Sequence, residues 1–153
     1  IPVNKPRWIN DIDSNLISVY QSLKNDPQNF IARCKNVSGD LRDVFNKMID
    51  GNDYDDDIKY FFINRTVWGG RVNYTIRSRL YFSNPSGWNI INTNKLEKAA
   101  AVLQNAKISS TSYTEVLHEK GDDVLIYIDP PYYLNTKLDK NSRLYRYNSS
   151  KYI

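Results

Sequence analysis

The chain has 153 residues but only one cysteine, Cys34, and one histidine, His118. A single cysteine excludes an internal disulfide and any zinc site built on paired cysteines. His118 sits in a polar, charged stretch and reads as a surface residue. The six glycines form no clustered Gly-x-Gly loop. No apolar run approaches the length of a membrane span, and no signal peptide is visible at the start. The first residue is Ile, so the true start is expected to lie upstream.

What is present suits one modest folded core. Hydrophobic residues make up 41% and charged residues 25%, the balance of a globular chain rather than a disordered one. The net charge of +4 is compatible with a polyanionic partner. Tyrosine dominates the aromatics, with 12 Tyr against 5 Phe and 3 Trp. It serves both stacking at a wet surface and ordinary packing.

Residues 7–12 read as a short strand. Asp13 or Ser14 can then cap a helix over 15–25, with Leu16, Val19, Tyr20 and Leu23 on one face. A helical pattern with Phe30, Ile31, Cys34, Val44, Phe45, Met48 and Ile49 runs over 28–49, interrupted at Gly39. Gly51 stops it. Asp53, Asp55, Asp56 and Asp57 follow. They lack the alternation, central glycine and terminal glutamate of a calcium loop, and read as the acidic start of a helix over 55–65 bearing Ile58, Phe61 and Phe62. The stretch 71–92 is rich in Arg, Asn, Tyr and Ser and reads as a loop or hairpin outside the core. Asn94, with Glu97 three residues on, caps a helix to 105 whose buried side is Leu96, Ala99, Ala100 and Leu103. Residues 107–110 and 123–129 read as further strands, and 132–153 as a polar lid rich in tyrosine. Strand–helix at one end and helix–strand–strand at the other imply a parallel sheet, hence an α/β fold.

The tetrapeptide Asp129-Pro130-Pro131-Tyr132 follows the apolar run Val124-Leu125-Ile126-Tyr127-Ile128. It stands where a buried strand would end, and in α/β sheets ligands bind at that edge. One reading is a plain Asp-Pro turn. The other is chemical. An exocyclic amine on a nucleobase is a poor nucleophile, because its lone pair is delocalised into the ring. The Asp129 carboxylate and the Pro130 carbonyl can draw its two N–H groups aside, Pro131 stiffens the turn, and Tyr132 offers a stacking face. A charge-assisted hydrogen bond contributes about 1.5–3 kcal/mol and a base–aromatic stack about 1–3 kcal/mol. Together they offset the few kcal/mol needed to extract a base.

With these residues the chain resembles the Dam-like, α-class DNA adenine-N6 methyltransferases, whose catalytic motif is Asp-Pro-Pro-Tyr after an apolar strand. Other stretches match in the same order. Trp8-Ile9-Asn10-Asp11-Ile12-Asp13 resembles the family's second strand. Asn15-Leu16-Ile17 through Tyr20, then Lys24-Asn25-Asp26-Pro27, resemble the helix after it. Phe61-Phe62-Ile63-Asn64-Arg65 followed by Trp68-Gly69-Gly70 resembles the segment that opens the DNA-recognition part. Ala106-Lys107-Ile108 through Ser112-Tyr113 resembles the strand before the catalytic one.

The resemblance implies a Rossmann-like methyltransferase sheet with an inserted, mainly helical DNA-recognition domain. The catalytic domain would comprise 1–26 and 93–153, and the target-recognition insertion 27–92. It implies S-adenosylmethionine as methyl donor, double-stranded DNA as partner, and a transfer that needs no metal and no covalent enzyme intermediate. Asp129, Pro130, Pro131 and Tyr132 would be catalytic. Asp11, with Asp13 as competitor, Ser112 and Asp129 would bind the cofactor. Ser112 stands where many relatives carry an acid. Asn64, Arg65, Trp68, Arg71 and Asn73 would meet DNA, since Arg and Asn read base edges and basic groups hold phosphates. Trp68 reads either as a wedge entering the base stack or as a packing residue, and Asn64 and Arg65 either as DNA contacts or as structural ties.

One departure stands out. The family's Phe-x-Gly-x-Gly loop has no counterpart in residues 1–6, so a fragment is expected, or a degenerate relative. The alternatives are a catalytically inactive DNA-binding remnant and an amino-methyltransferase acting on RNA or protein. The expected location is the cytoplasm of a prokaryotic or phage-infected cell. The sequence sets no oligomeric state.

Overall fold

A computed structural model describes residues 6–51, 53–70, 81–83, 86–89, 91–118 and 125–128. The chain divides into two compact units, Ile1–Glu119 and Lys120–Ile153. In the first unit, strand β1 (Arg7–Asn10) leads into helices α1 (Ser14–Asn25), α2 (Pro27–Asn36), α3 (Leu41–Asp50) and α4 (Asp56–Thr66). A 3-10 turn (Trp68–Gly70) and the short helix α5 (Ser86–Asn89) follow, then α6 (Thr93–Leu103), β2 (Ala106–Ser109) and α7 (Tyr113–Leu117).

Several helix starts have a local cause. The Asp13 carboxylate accepts from the amides of Asn15 and Leu16 and opens α1. Asp26 closes α1 and caps α2 through the Asn29 amide, with Pro27 in the first turn, where its missing N–H costs nothing. Asp40 accepts from Arg42 and Asp43 to open α3. The break expected at Gly39 is there, with a φ of 103° that suits glycine. Asp55 stands at the N-cap of α4 but makes no side-chain cap bond. Its carboxylate is held by Arg33 at 2.8 Å.

Strand β1 pairs with β2 in parallel, Arg7 opposite Ala106 and Asn10 opposite Ser109. Helix α1 packs against both α4 and α6, and α2 bridges them. The core between them includes Phe30, Cys34, Phe45, Met48, Phe62, Ile63 and Leu103. Trp88 closes it, its ring 4.8 Å from that of Phe62 at an interplanar angle of 63°, an edge-to-face contact favoured by ring quadrupoles.

Four expectations need correction. Helix α6 is capped by Asn92, whose side chain accepts from the Lys95 amide, not by Asn94. Lys95 occupies the third helical position, so the first turn begins two residues earlier than the Asn94–Glu97 spacing implied. On α1 the buried residues are Ile17, Val19 and Leu23, with Leu16 half-buried, and on α6 Ala99 is exposed. The stretch 71–92 is not wholly outside the core. Phe82 and Trp88 are buried, and Phe82 packs 5.2 Å from Phe45 while Val67 and Phe82 form an antiparallel bridge. Finally, 125–128 is not a buried strand. These four residues form no ladder, and Leu125 and Tyr127 are 79% and 88% exposed. Strand pairing and covering helices bury an apolar run, and 125–128 has no ladder partner among the described residues. The expected lid at 132–153 lies outside those residues.

Candidate active site

Two parallel strands present their carboxyl ends side by side, and the chain leaving each end carries polar groups. Asp11 follows β1 directly, and its amide donates to the Ser109 carbonyl at 3.3 Å. One carboxylate oxygen of Asp11 accepts from the Asp13 amide at 2.8 Å. That bond orients Asp11 and leaves its second oxygen without a donor among the described residues. Asp13 caps α1 through one oxygen only, so each of the two acids keeps a second oxygen without a donor among the described residues.

Across from Asp11 runs the segment after β2. Ser110 donates to the Ile12 carbonyl at 3.3 Å. Ser112 caps α7 and bonds the Thr114 hydroxyl at 2.8 Å. Asp11 and Ser112 therefore stand on neighbouring chain ends of one edge. The residue that ties these ends together, Asn10, was not singled out from sequence. Its Oδ1 accepts from the Ser109 hydroxyl at 2.7 Å and the Thr111 amide at 3.0 Å, while its Nδ2 donates to the Thr111 carbonyl at 2.9 Å. The Trp8 indole N–H donates to Ser109 Oγ at 2.6 Å, extending the same chain of bonds. No periodicity marks Asn10, because its partners lie some hundred residues downstream.

The second candidate region is the end of α4. Asn64 Nδ2 donates to the Gly70 carbonyl at 2.8 Å. Gly69 and Gly70 adopt φ of 67° and 66°, the left-handed region that glycine enters without strain. A Cβ at Gly70 would stand 3.3 Å from Asn64 Nδ2, a tight contact that would push the Asn64 amide aside. The turn holds Trp68 at the surface, 63% exposed. The Arg65 guanidinium lies 5.5 Å over the Phe61 ring. Of the residues expected to meet DNA, Asn64, Arg65 and Trp68 thus share one helix end and turn. Arg71 and Asn73 lie outside the described residues, as do Asp129, Pro130, Pro131 and Tyr132.

A polar groove of about 450 Å³ lies between α1, α2 and the start of α4, lined by Ser22, Asn29, Arg33, Asp55 and Asp57 among others. It shares no residue with the carboxyl edge. Its Arg33–Asp57 pair is two-pronged, at 2.9 and 2.6 Å. Burial pushes the Asp57 carboxyl up, but hydrogen bonds from Arg33, Ser22 and the Ile58 amide outweigh it and hold the group below its ordinary value. The pair anchors α4 to α2. This buried partnership was not anticipated from the acidic run, which shows only as a helix start.

Residues 3–152 match the model of the D12 class N6 adenine-specific DNA methyltransferase family. The chain belongs to this family. It is also similar to the type II methyltransferase M.MjaIII of Methanocaldococcus jannaschii, 26% identical over 145 residues that cover 81% of this chain and 49% of that protein. The chain thus spans about half the length of the curated relative it matches. The resemblance read from the ordered motifs is borne out at the level of the family. A D12-class chain with a parallel strand pair and a helix-rich body is compatible with a methyltransferase-like α/β fold.

Proposed function

We propose that the protein transfers a methyl group from S-adenosylmethionine to N6 of an adenine drawn out of duplex DNA. The observation that carries the reading is the carboxyl edge of β1 and β2 in a chain of the D12 class: Asp11, oriented by the Asp13 amide, faces the segment after Ser109 across one strand end. A carboxylate with a spare acceptor oxygen fits the paired hydroxyls of a ribose. Ser112 fits less well, since its hydroxyl already serves Thr114. Of the cofactor contacts, Asp11 therefore carries the greater share.

S-Adenosylmethionine, when bound, supplies an electrophilic methyl carbon on a sulfonium. The chain's own residues prepare the acceptor. Asp129 and the Pro130 carbonyl accept from the N6 amino group, which frees its lone pair, while Pro131 stiffens the turn and Tyr132 stacks on the base. The N6 lone pair so freed would accept the methyl group, the sulfonium leaving as a neutral thioether, and the proton lost from N6 would pass to solvent. In this reading 27–92 is the recognition insertion, and 1–26 with 93–153 the catalytic part. The exposed Trp68 on its glycine-closed turn supports the wedge that keeps the stack open once the adenine has left it. Arg65, Arg71 and Asn73 would hold phosphates and base edges beside it. Duplex DNA and the methyl donor meet in the cytoplasm, which is the expected compartment.

The test is methyl transfer from labelled S-adenosylmethionine to duplex DNA, with digestion to nucleosides. Label in N6-methyladenine, abolished by Asp129→Ala with DNA affinity retained, is the expected result. Salt-dependent DNA binding with no transfer by the wild type would return the reading to an inactive binding remnant. Label on RNA or protein alone would move it to the other alternative.

A further inference from the structure

We propose that Asn10 is a positioning residue for the cofactor: its side-chain amide continues the β1–β2 ladder one step beyond the last paired residues and so holds the Thr111–Ser112 backbone at a fixed distance from Asp11. The inference rests on the cofactor reading of that edge given above.

The bonds are those of a strand pair made by a side chain. A peptide group in a ladder offers one donor and one acceptor in a plane. Asn10 offers the same: Nδ2 donates to the Thr111 carbonyl at 2.9 Å and Oδ1 accepts from the Thr111 amide at 3.0 Å. The Thr111 and Ser109 hydroxyls add to Oδ1 at 3.1 and 2.7 Å. Among short side chains only an amide can satisfy both Thr111 groups at once. An aspartate lacks the donor and would set a carboxylate against the Thr111 carbonyl, beside Asp11. A serine has too short a reach.

The placement matters because the main-chain pairing stops there. The register ends with Asn10 opposite Ser109, and Asp11 adds one amide bond to the Ser109 carbonyl. Beyond that only a side-chain bond, from the Ser110 hydroxyl to the Ile12 carbonyl, still joins the two chains before β1 runs into the α1 cap at Asp13 and β2 into the α7 cap at Ser112. Asn10 is half-buried at the divergence. With the weaker Ser110–Ile12 bond it sets how far apart the two chain ends lie, and hence how wide the gap is that a nucleoside must fit.

The experiment measures S-adenosylmethionine binding by calorimetry and amide hydrogen exchange on the whole chain, for the wild type, Asn10→Ala, Asn10→Asp and a control. The control is Lys24→Met, which removes the bond from Lys24 Nζ to the Ala106 carbonyl at the other end of β2. Asn10→Ala is expected to weaken binding about tenfold as its four side-chain hydrogen bonds are lost. The Thr111 amide should lose protection while Ile9 and Ile108 keep theirs, and Asn10→Asp should bind at least as weakly. Lys24→Met should lower the melting temperature and leave cofactor affinity unchanged. Wild-type affinity in Asn10→Ala overturns the role of Asn10 alone. Equal weakening in Lys24→Met also overturns it, since that would be general loosening of the sheet. No binding by the wild type overturns the methyl-donor reading itself, and with it this proposal.

Discussion

The Asn64 side chain donates to the Gly70 carbonyl at 2.8 Å, closing the turn from which Trp68 projects. The bond engages the Asn64 amide within the protein, so its removal should act through Trp68. Trp68→Ala is expected to weaken DNA binding and leave S-adenosylmethionine affinity unchanged. Asn64→Ala should weaken DNA binding less, and the double variant should equal Trp68→Ala rather than the sum of the two. Additive losses in a double-mutant cycle would make Asn64 a DNA contact in its own right. Unchanged DNA affinity in Trp68→Ala would end the wedge reading.

Gly70→Ala tests the same turn from the backbone side. A Cβ at a φ of 66° costs about 1–2 kcal/mol, and the contact with Asn64 adds to it. Urea unfolding should show the loss, and DNA binding should fall with it.

The Arg33–Asp57 pair gives a pH-dependent prediction. Asp57 titrates lower in the folded chain than in the unfolded one. Its contribution is therefore fully present above the unfolded value of about 3.9, and is lost as pH falls through the lower folded value. Asp57→Asn should cost about 2 kcal/mol at pH 7, discounted for an Arg33 side chain still 28% exposed. The difference between wild type and variant should hold constant down to about pH 5 and shrink at still lower pH. Unfolding curves at stepped pH measure it, and a pH-independent difference would mean that the pairing, not the charge, is lost.

Cys34 should be inert in the native protein. Burial first, and then nearby Asp57, pushes its thiol up to about 12, so almost no thiolate exists at pH 8. A thiol-specific chromogenic reagent is expected to react only at the rate of unfolding. Rapid reaction under native conditions would contradict the fully buried position.

Phe82 separates the core placement from a loop placement. Against Phe45, with the Arg42 guanidinium 4.9 Å over its ring, Phe82→Ala should cost about 3 kcal/mol. A loss under about 0.5 kcal/mol is the behaviour of a surface residue.

Local signals were legible in the sequence and long-range ones were not. Asp13 reads as a cap from its place before an apolar-periodic run, Gly39 as a break, and the acidic run at 55–57 as a helix start; each depends on neighbours within a turn. Asp11 at a strand end and Trp68 before two glycines were readable for the same reason. Asn10 has its partners at 109–111, and Asp57 draws its bonds from Ser22 and Arg33. Composition cannot reveal such partners. Phe82 and Trp88 were misplaced because the polar residues around them hide single buried aromatics.

The distance along the chain between the two strands also governs how the protein reaches its native state. Trp8 and Ser109, joined by a hydrogen bond, are 101 positions apart. Helices α1 to α4 follow one another closely and meet through nearby stretches of chain, contacts of the kind that form quickly. The strand pair instead requires closing nearly the whole described chain, at an entropic cost that no local turn offsets. Among the described elements, the edge that carries Asp11 should therefore acquire its final form late, and a nascent chain would expose β1 to solvent until β2 has been synthesised.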